Sequence, residues 1–178
     1  MCPVTLGADH IAGAAGGFEP QRRNNFLLRL TPKGGSGQVI ELSLSKCPFP
    51  QDTTSVHQIR YMNGERKFPG RTTYPQMEIN LVDYVDQGTL REIAEWRRKV
   101  YDPLTGRGGF CSAFKVQATL LMFAPDGVAT RQWKLHGVWP SAANYGANGG
   151  GDMDSADESH IGLTLQLDWF EVLNASAA

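Results

Sequence analysis

Between Ile161 and Trp169 the chain reads Ile-Gly-Leu-Thr-Leu-Gln-Leu-Asp-Trp, with Ile161, Leu163, Leu165, Leu167 and Trp169 on one register and Thr164, Gln166 and Asp168 on the other. A repeat of two is that of a strand with one face on a core and the other on a polar surface. The same period recurs at Phe26–Leu30, Val39–Leu44, Val56–Met62, Met77–Val82, Phe114–Met122 and Arg131–Val138. Turn chemistry separates these runs: Gly34-Gly35-Ser36-Gly37, Phe68-Pro69-Gly70-Arg71 and Ala124-Pro125-Asp126-Gly127. The first turn predicts a hairpin of Phe26–Leu30 with Val39–Leu44, and the last predicts a hairpin of Phe114–Met122 with Arg131–Val138.

Helical spacing occurs once, where Leu90, Ile93, Trp96, Arg97 and Val100 follow Thr89-Leu90-Arg91-Glu92. Thr89 and Glu92 have the spacing of a capping box, which predicts one amphipathic helix over about 89–101. Seven strands and a single mid-chain helix argue against a parallel α/β sheet. The expected class is mainly β: two packed antiparallel sheets, a sandwich or partly open barrel, with one flanking α-helix. Residues 1–22, rich in Gly and Ala, are expected to be a flexible arm on a domain spanning 23–178.

Trp133-Lys134-Leu135-His136-Gly137-Val138-Trp139-Pro140 loads a strand end with two indoles around a glycine. Crowding by a close neighbour is expected at Gly137, and Pro140, lacking an amide hydrogen, is expected to end the ladder. Trp133 and Trp139 are expected to be packing anchors.

At 178 residues the chain is long enough for one core, and its three cysteines (Cys2, Cys47, Cys111) form no Cys-x-x-Cys pair. Reduced, mostly buried thiols in a cytosolic compartment are expected. No apolar run approaches the roughly 20 residues of a membrane-spanning helix, and the N-terminus does not resemble a secretory signal. Net charge is −1, unevenly spread. All 17 Lys and Arg lie between Arg22 and Lys134, against 10 acids there, for +7; the segment after Lys134 holds six acids and no Lys or Arg. That asymmetry is either a solvated surface or a basic and an acidic face suited to head-to-tail stacking of copies.

The residues argue for no enzymatic chemistry. Gly34–Gly37 does not complete a nucleophile elbow, and Gly106-Arg107-Gly108-Gly109 opens no helix, so neither a P-loop nor a dinucleotide fingerprint is present. His10, His57, His136 and His160 lack ligand spacing. Asp152, Asp154 and Asp157 lack the Gly and Glu of an EF-hand loop, so with Glu158 they read as a solvated loop or an acidic contact surface. Arg91, Arg97, Arg98 and Lys99 interleave with Glu92 and Glu95, which suits an exposed or subunit-facing helix side better than a nucleic-acid groove. No cofactor and no metal are expected.

Several segments, in order, resemble the tail tube proteins of contractile-tailed bacteriophages, relatives of the tubes of contractile injection systems. They are Asn24-Asn25-Phe26, Phe68-Pro69-Gly70, the helix with Trp96, Leu135–Pro140, Asp152-Met153-Asp154-Ser155 and Leu165–Trp169. The resemblance runs from about Arg23 to Glu171; residues 1–20 and 144–151 do not map. It implies a non-enzymatic subunit of the virion tail, assembled in the host cytoplasm into hexameric rings that stack into a tube. Genomic DNA would pass through the lumen without sequence-specific binding. Implied partners are further copies of the chain and the tail sheath, baseplate, tape measure and tail terminator proteins, with no membrane. The alternatives are the tube subunit of a tailocin or contractile injection system, or a stand-alone β-barrel that binds a small ligand. Asp152, Asp154, Asp157, Glu158, Arg97, Arg98 and Lys99 are the candidate self-assembly residues. Thr164, Gln166 and Asp168 are candidates for a lumen or sheath face.

Overall fold

A computed structural model of the chain describes residues 21–174 except 36, 86, 87, 148, 150, 152 and 155. The expected arm over 1–22 therefore lies almost wholly outside the described residues, as does Asp152. In chain order the elements are β1 (Phe26–Leu30), α1 (Gln38–Ser43), β2 (Leu44–Lys46), β3 (Thr53–Tyr61), β4 (Gly64–Thr73), β5 (Met77–Val82), α2 (Thr89–Val100), β6 (Tyr101–Asp102), β7 (Arg107–Gly108), α3 (Cys111–Phe114), β8 (Val116–Phe123), β9 (Ala129–Asn144), β10 (His160–Gln166) and β11 (Trp169–Asn174). The fold is mainly β, a curled antiparallel sheet, as the alternation predicts.

Its backbone is β9, sixteen residues long. The first half of β9 pairs with β8 on one side and β11 on the other, and β1 adds outside β8. The second half pairs with β10, which pairs with β5, which pairs with β2. One half-sheet is thus β1-β8-β9-β11 and the other β9-β10-β5-β2. The core between them holds Leu28, Leu30, Met77, Ile79, Leu81, Ala118, Leu120, Leu135, Ile161, Leu163 and Leu165, nearly all fully buried. These are the apolar registers of the alternating runs, whose removal from water is the main favourable term in folding.

Helix α2 closes one end. Ile93 and Trp96 are fully buried, and the Trp96 indole N–H donates to the Phe114 carbonyl at 2.8 Å. Trp133 and Trp139 pack against the core, Trp133 stacked on Phe49 at 5.4 Å and Trp139 edge-on to Phe114 at 5.8 Å.

Five expectations need correction. Val39–Leu44 is not a strand, and no hairpin joins it to β1: it is mostly helix α1, burying Ile40 and Ser43 three residues apart, and β1 pairs instead with β8. The capping box does not form. Gly88, at φ 66°, is the N-cap, while the Thr89 hydroxyl meets Ser43 Oγ at 3.1 Å and Glu92 accepts the Gly37 amide at 3.0 Å, so both side chains tie α2 to α1. Helix α2 is accordingly not the only helix.

Phe68–Arg71 is not a turn but part of β4, where Pro69 pairs with Val56 and Gly70 and Arg71 bulge opposite Ser55. A Cβ on Gly70 would come within 2.5 Å of Ser55 Oγ, so the glycine serves a close approach. The reversal is at Met62-Asn63, with Met62 at φ 45°. Pro140 does not end its strand. β8 stops pairing at Val138, so from there β9 has a strand neighbour on one side only, and a one-residue bulge at Ser141 follows. Proline is tolerated at such an edge. Finally, Leu167 and Asp168 interrupt the last strand, and Trp169 leaves the core face: it is 42% exposed and stacks on His136 at 4.0 Å.

Candidate assembly surfaces

The free strand edges are the first candidate surface. In the β1-β8-β9-β11 half-sheet, β1 and β11 lie at opposite ends, each with one side unpaired among the described residues. A bare edge offers backbone N–H and C=O groups to another chain. β11 also carries apolar side chains in the open, with Trp169, Val172 and Leu173 at 42%, 58% and 39% exposure. Its seat on the sheet is well fixed. Lys115 Nζ lies 2.7 Å from both Asp168 carboxylate oxygens, and the Asp168 amide donates to the His136 carbonyl at 2.9 Å. Gly137, at φ 66°, makes room for this: a Cβ there would sit 2.0 Å from Asp168 Oδ2. The crowding expected at Gly137 is therefore real, and its source is a carboxylate.

The second surface is the β3–β4 hairpin. Every residue from Thr53 to Thr73 is exposed. Its two faces differ. Cross-strand pairing puts His57 with Phe68, Ile59 with Arg66 and Tyr61 with Gly64 on one face, where Arg66 lies over the Tyr61 ring at 5.8 Å. The other face carries Val56 opposite Pro69, Gln58 opposite Lys67 and Arg60 opposite Glu65, the last pair at 3.8 Å.

The third is a groove of about 830 Å³ between β1 and the segment following α1, whose lining is half apolar, with Phe26, Leu27 and Phe49, and half polar, with Arg23, Glu41 and Lys46. Cys47 is in its wall, and burial pushes its thiol up to about 12.

The predicted assembly residues are scattered over these features. Arg97 is half-buried and faces inward: its Nη1 donates to the Pro140 and Ser141 carbonyls at 2.7 and 2.8 Å, capping β9 where β8 leaves off. Lys99 donates to the Lys33 carbonyl. Arg98, Asp154, Asp157 and Glu158 are exposed. Thr164 and Gln166 share the outer face of β10 with Asn80 and Glu78 of β5, and Gln166 donates to Gln76 at 3.1 Å. Asp168 is not on that face, being bound to Lys115 at the strand break.

Sequence reasoning passed over the hairpin's amphipathicity, although the signal was present: shifting the turn to Met62-Asn63 brings Ile59, Tyr61 and Phe68 onto one face. Among the described residues no three His, Cys, Asp or Glu side chains are grouped to hold a metal ion.

No protein-family model matches the sequence, and neither does any curated protein. Solved structures do match. A chain of the anti-feeding prophage cap, the tube-terminating cap, aligns at TM-score 0.70 and 13% identity over 92% of this chain and 97% of that one. A chain of the sheath/tube terminator of an extracellular contractile injection system, PVC, in its extended state aligns at 0.65 and 12%, covering 87% and 97%. One from the PVC sheath-tube complex aligns at 0.63 and 12%, covering 96% and 100%. This chain therefore has the fold found in chains from the cap, terminator and sheath-tube assemblies of contractile injection systems.

Proposed function

We propose that the protein is a non-enzymatic structural subunit that closes with copies of itself into a ring, and that such rings build a tail-type tube. The observation that carries this reading is the pair of free edges at opposite ends of one four-stranded half-sheet. An edge that meets a different edge on the next copy makes a heterologous contact, which generates a ring when the rotation closes. Strand directions alternate across β1-β8-β9-β11, so β11 of one copy and β1 of the next, related by rotation about a common axis, meet antiparallel. The alternation then continues around the ring, and neither edge of this half-sheet is left to recruit chains at random.

Six copies per ring, a lumen that conducts genomic DNA, placement in a virion tail after assembly in the host cytoplasm, and contacts to sheath, baseplate, tape measure and tail terminator follow from the tail-tube resemblance. The face with Thr164, Gln166 and Asn80 also carries Glu78 and Lys46, one charge of each sign, and its low net charge suits a lumen that does not hold phosphates tightly. Solved neighbours from tube-terminating assemblies support a second form of the same reading, in which the ring ends a tube. Rings that stack indefinitely distinguish the first form, and rings that remain single distinguish the second.

Leu173→Lys tests the edge. The substitution places a charge on the exposed side of β11 and is expected to leave the fold intact, costing within about 0.5 kcal/mol, while reducing ring yield at least tenfold by sedimentation velocity. Undiminished rings would remove β11 from the contact.

A further inference from the structure

We infer that residues 1–20 of the same chain seat in the groove beside β1, where they stand in the way of the β11 edge of a second copy. The seat is independent of the ring reading; the obstruction rests on it.

The groove runs along the open side of β1. Phe26 and Leu27 are consecutive in that strand, so their side chains point to opposite faces of the sheet, yet both line the groove. β8 holds the other side of β1 and contributes none of the described lining. Whatever fills the groove therefore lies beside β1, where β11 of a second copy would pair. The lining also sets what can fill it. Phe26, Leu27 and Phe49 call for apolar side chains. Of the three charged side chains, Arg23 and Lys46 are cations, and the one carboxylate, Glu41, already lies 3.6 Å from Arg29 Nε. The fitting occupant carries apolar side chains and acids, without Lys or Arg.

Residues 1–20 have that composition. They hold Val4, Leu6, Ile11 and Phe18 together with Asp9 and Glu19, and no Lys or Arg. The β3–β4 hairpin has the wrong sign, with Arg60, Arg66, Lys67 and Arg71 against Glu65. Residues 175–178, Ala-Ser-Ala-Ala, bring neither an acid nor a large apolar side chain. The N-terminal segment also joins the structure at the right place. Gln21 is fastened by both ends of its amide: Nε2 donates to the Phe123 carbonyl at 2.7 Å, and Oε1 accepts from Thr130 Oγ1 at 2.9 Å. Arg23 and Asn24, two and three residues on, are already part of the lining. A segment tethered so near meets the groove at a far higher effective concentration than a second copy does. Gly16 and Gly17, just before Phe18, can adopt the positive φ that a reversal requires. In the monomer the segment then covers β1, and ring closure has to displace it, which raises the concentration at which rings form.

Cys47, in the groove wall, is the reporter. In a chain carrying Cys2→Ser and Cys111→Ser it is the only thiol, and its alkylation by iodoacetamide is timed in the dilute monomer. Removing residues 1–20 is expected to speed alkylation at least tenfold while circular dichroism stays unchanged. A photo-crosslinker replacing Ile11 in the full chain is expected to label a peptide within residues 41–51 of its own chain, read in a mixture of isotopically heavy and light protein. Equal alkylation rates, labelling elsewhere, or labelling between heavy and light chains would overturn the seat. The truncated chain is also expected to form rings at a concentration at least tenfold lower than the full chain. Faster alkylation with no change in that concentration would leave the seat and remove the obstruction. If neither protein forms rings at any concentration, the ring reading fails, and Cys47 still decides the seat.

Discussion

Gly137 shows how a single residue was legible in kind and not in detail. A glycine between two indoles announces a close approach, but which atom approaches depends on Asp168, 31 positions later, whose place in space no local pattern gives. Cys47 was legible only as one of a set of reduced, mostly buried thiols, of which Cys111 is in fact exposed. The position of Cys47 in the groove wall, donating to the Pro48 carbonyl at 3.4 Å, makes its ionisation a reporter of folding. Burial raises it from 9.0 to about 12, so the folded chain holds the proton more tightly than the unfolded one. Its contribution is complete below pH 9 and lost as pH rises toward 12. Compared with Cys47→Ala, the wild-type stability is expected to fall by about 1.4 kcal/mol per pH unit in that window. Urea unfolding at a series of pH values measures this, and parallel curves for the two proteins would contradict it.

At the scale of elements, alternation identified strands well where burial is one-sided. β5 and β8 were placed within two residues of their observed bounds, and β10 at its start, though its expected run went on three residues past Gln166. It misled at Val39–Leu44, because six residues with mixed apolar side chains satisfy both periods and tertiary packing decides. There the fully buried Ile40 and Ser43 follow the helical spacing, and Ser43 reaches Thr89, 46 residues away. Pro140 and Pro69 misled for another reason. Proline signals an interruption in the hydrogen-bond ladder, and both sit at interruptions, but each is a bulge or edge within a continuing strand.

Arg97 and Arg98 are adjacent on α2 and indistinguishable in sequence, yet the structure separates them. Arg97 supplies charged hydrogen bonds to two carbonyls of β9, whereas Arg98 is exposed. Arg97→Ala is expected to cost about 1.5–3 kcal/mol, and Arg98→Ala within about 0.5 kcal/mol. Chemical denaturation of both variants checks the difference; equal effects would mean that Arg97 does not fasten the helix to the sheet.

For the molecule as a whole, the antiparallel class and the single long helix were legible, while the assembly surfaces were not. An assembly surface is a set of residues left uncovered by the fold, and exposure is a property of the finished structure. The charged residues that composition brought forward proved mixed in burial: Arg97 and Lys99 are partly buried and donate to backbone carbonyls, and Arg98, Asp154, Asp157 and Glu158 are exposed. The features that most need a partner are apolar and backbone groups, namely the β1 and β11 edges, the hairpin and the groove. On the readings proposed above, further copies of the chain would cover the edges and the hairpin, and its own residues 1–20 the groove. Electron microscopy of the purified protein, stained at high concentration, tests this directly. Closed rings of six copies, singly or stacked into tubes, are expected; a strictly monomeric protein at every concentration, even beside baseplate, would contradict it.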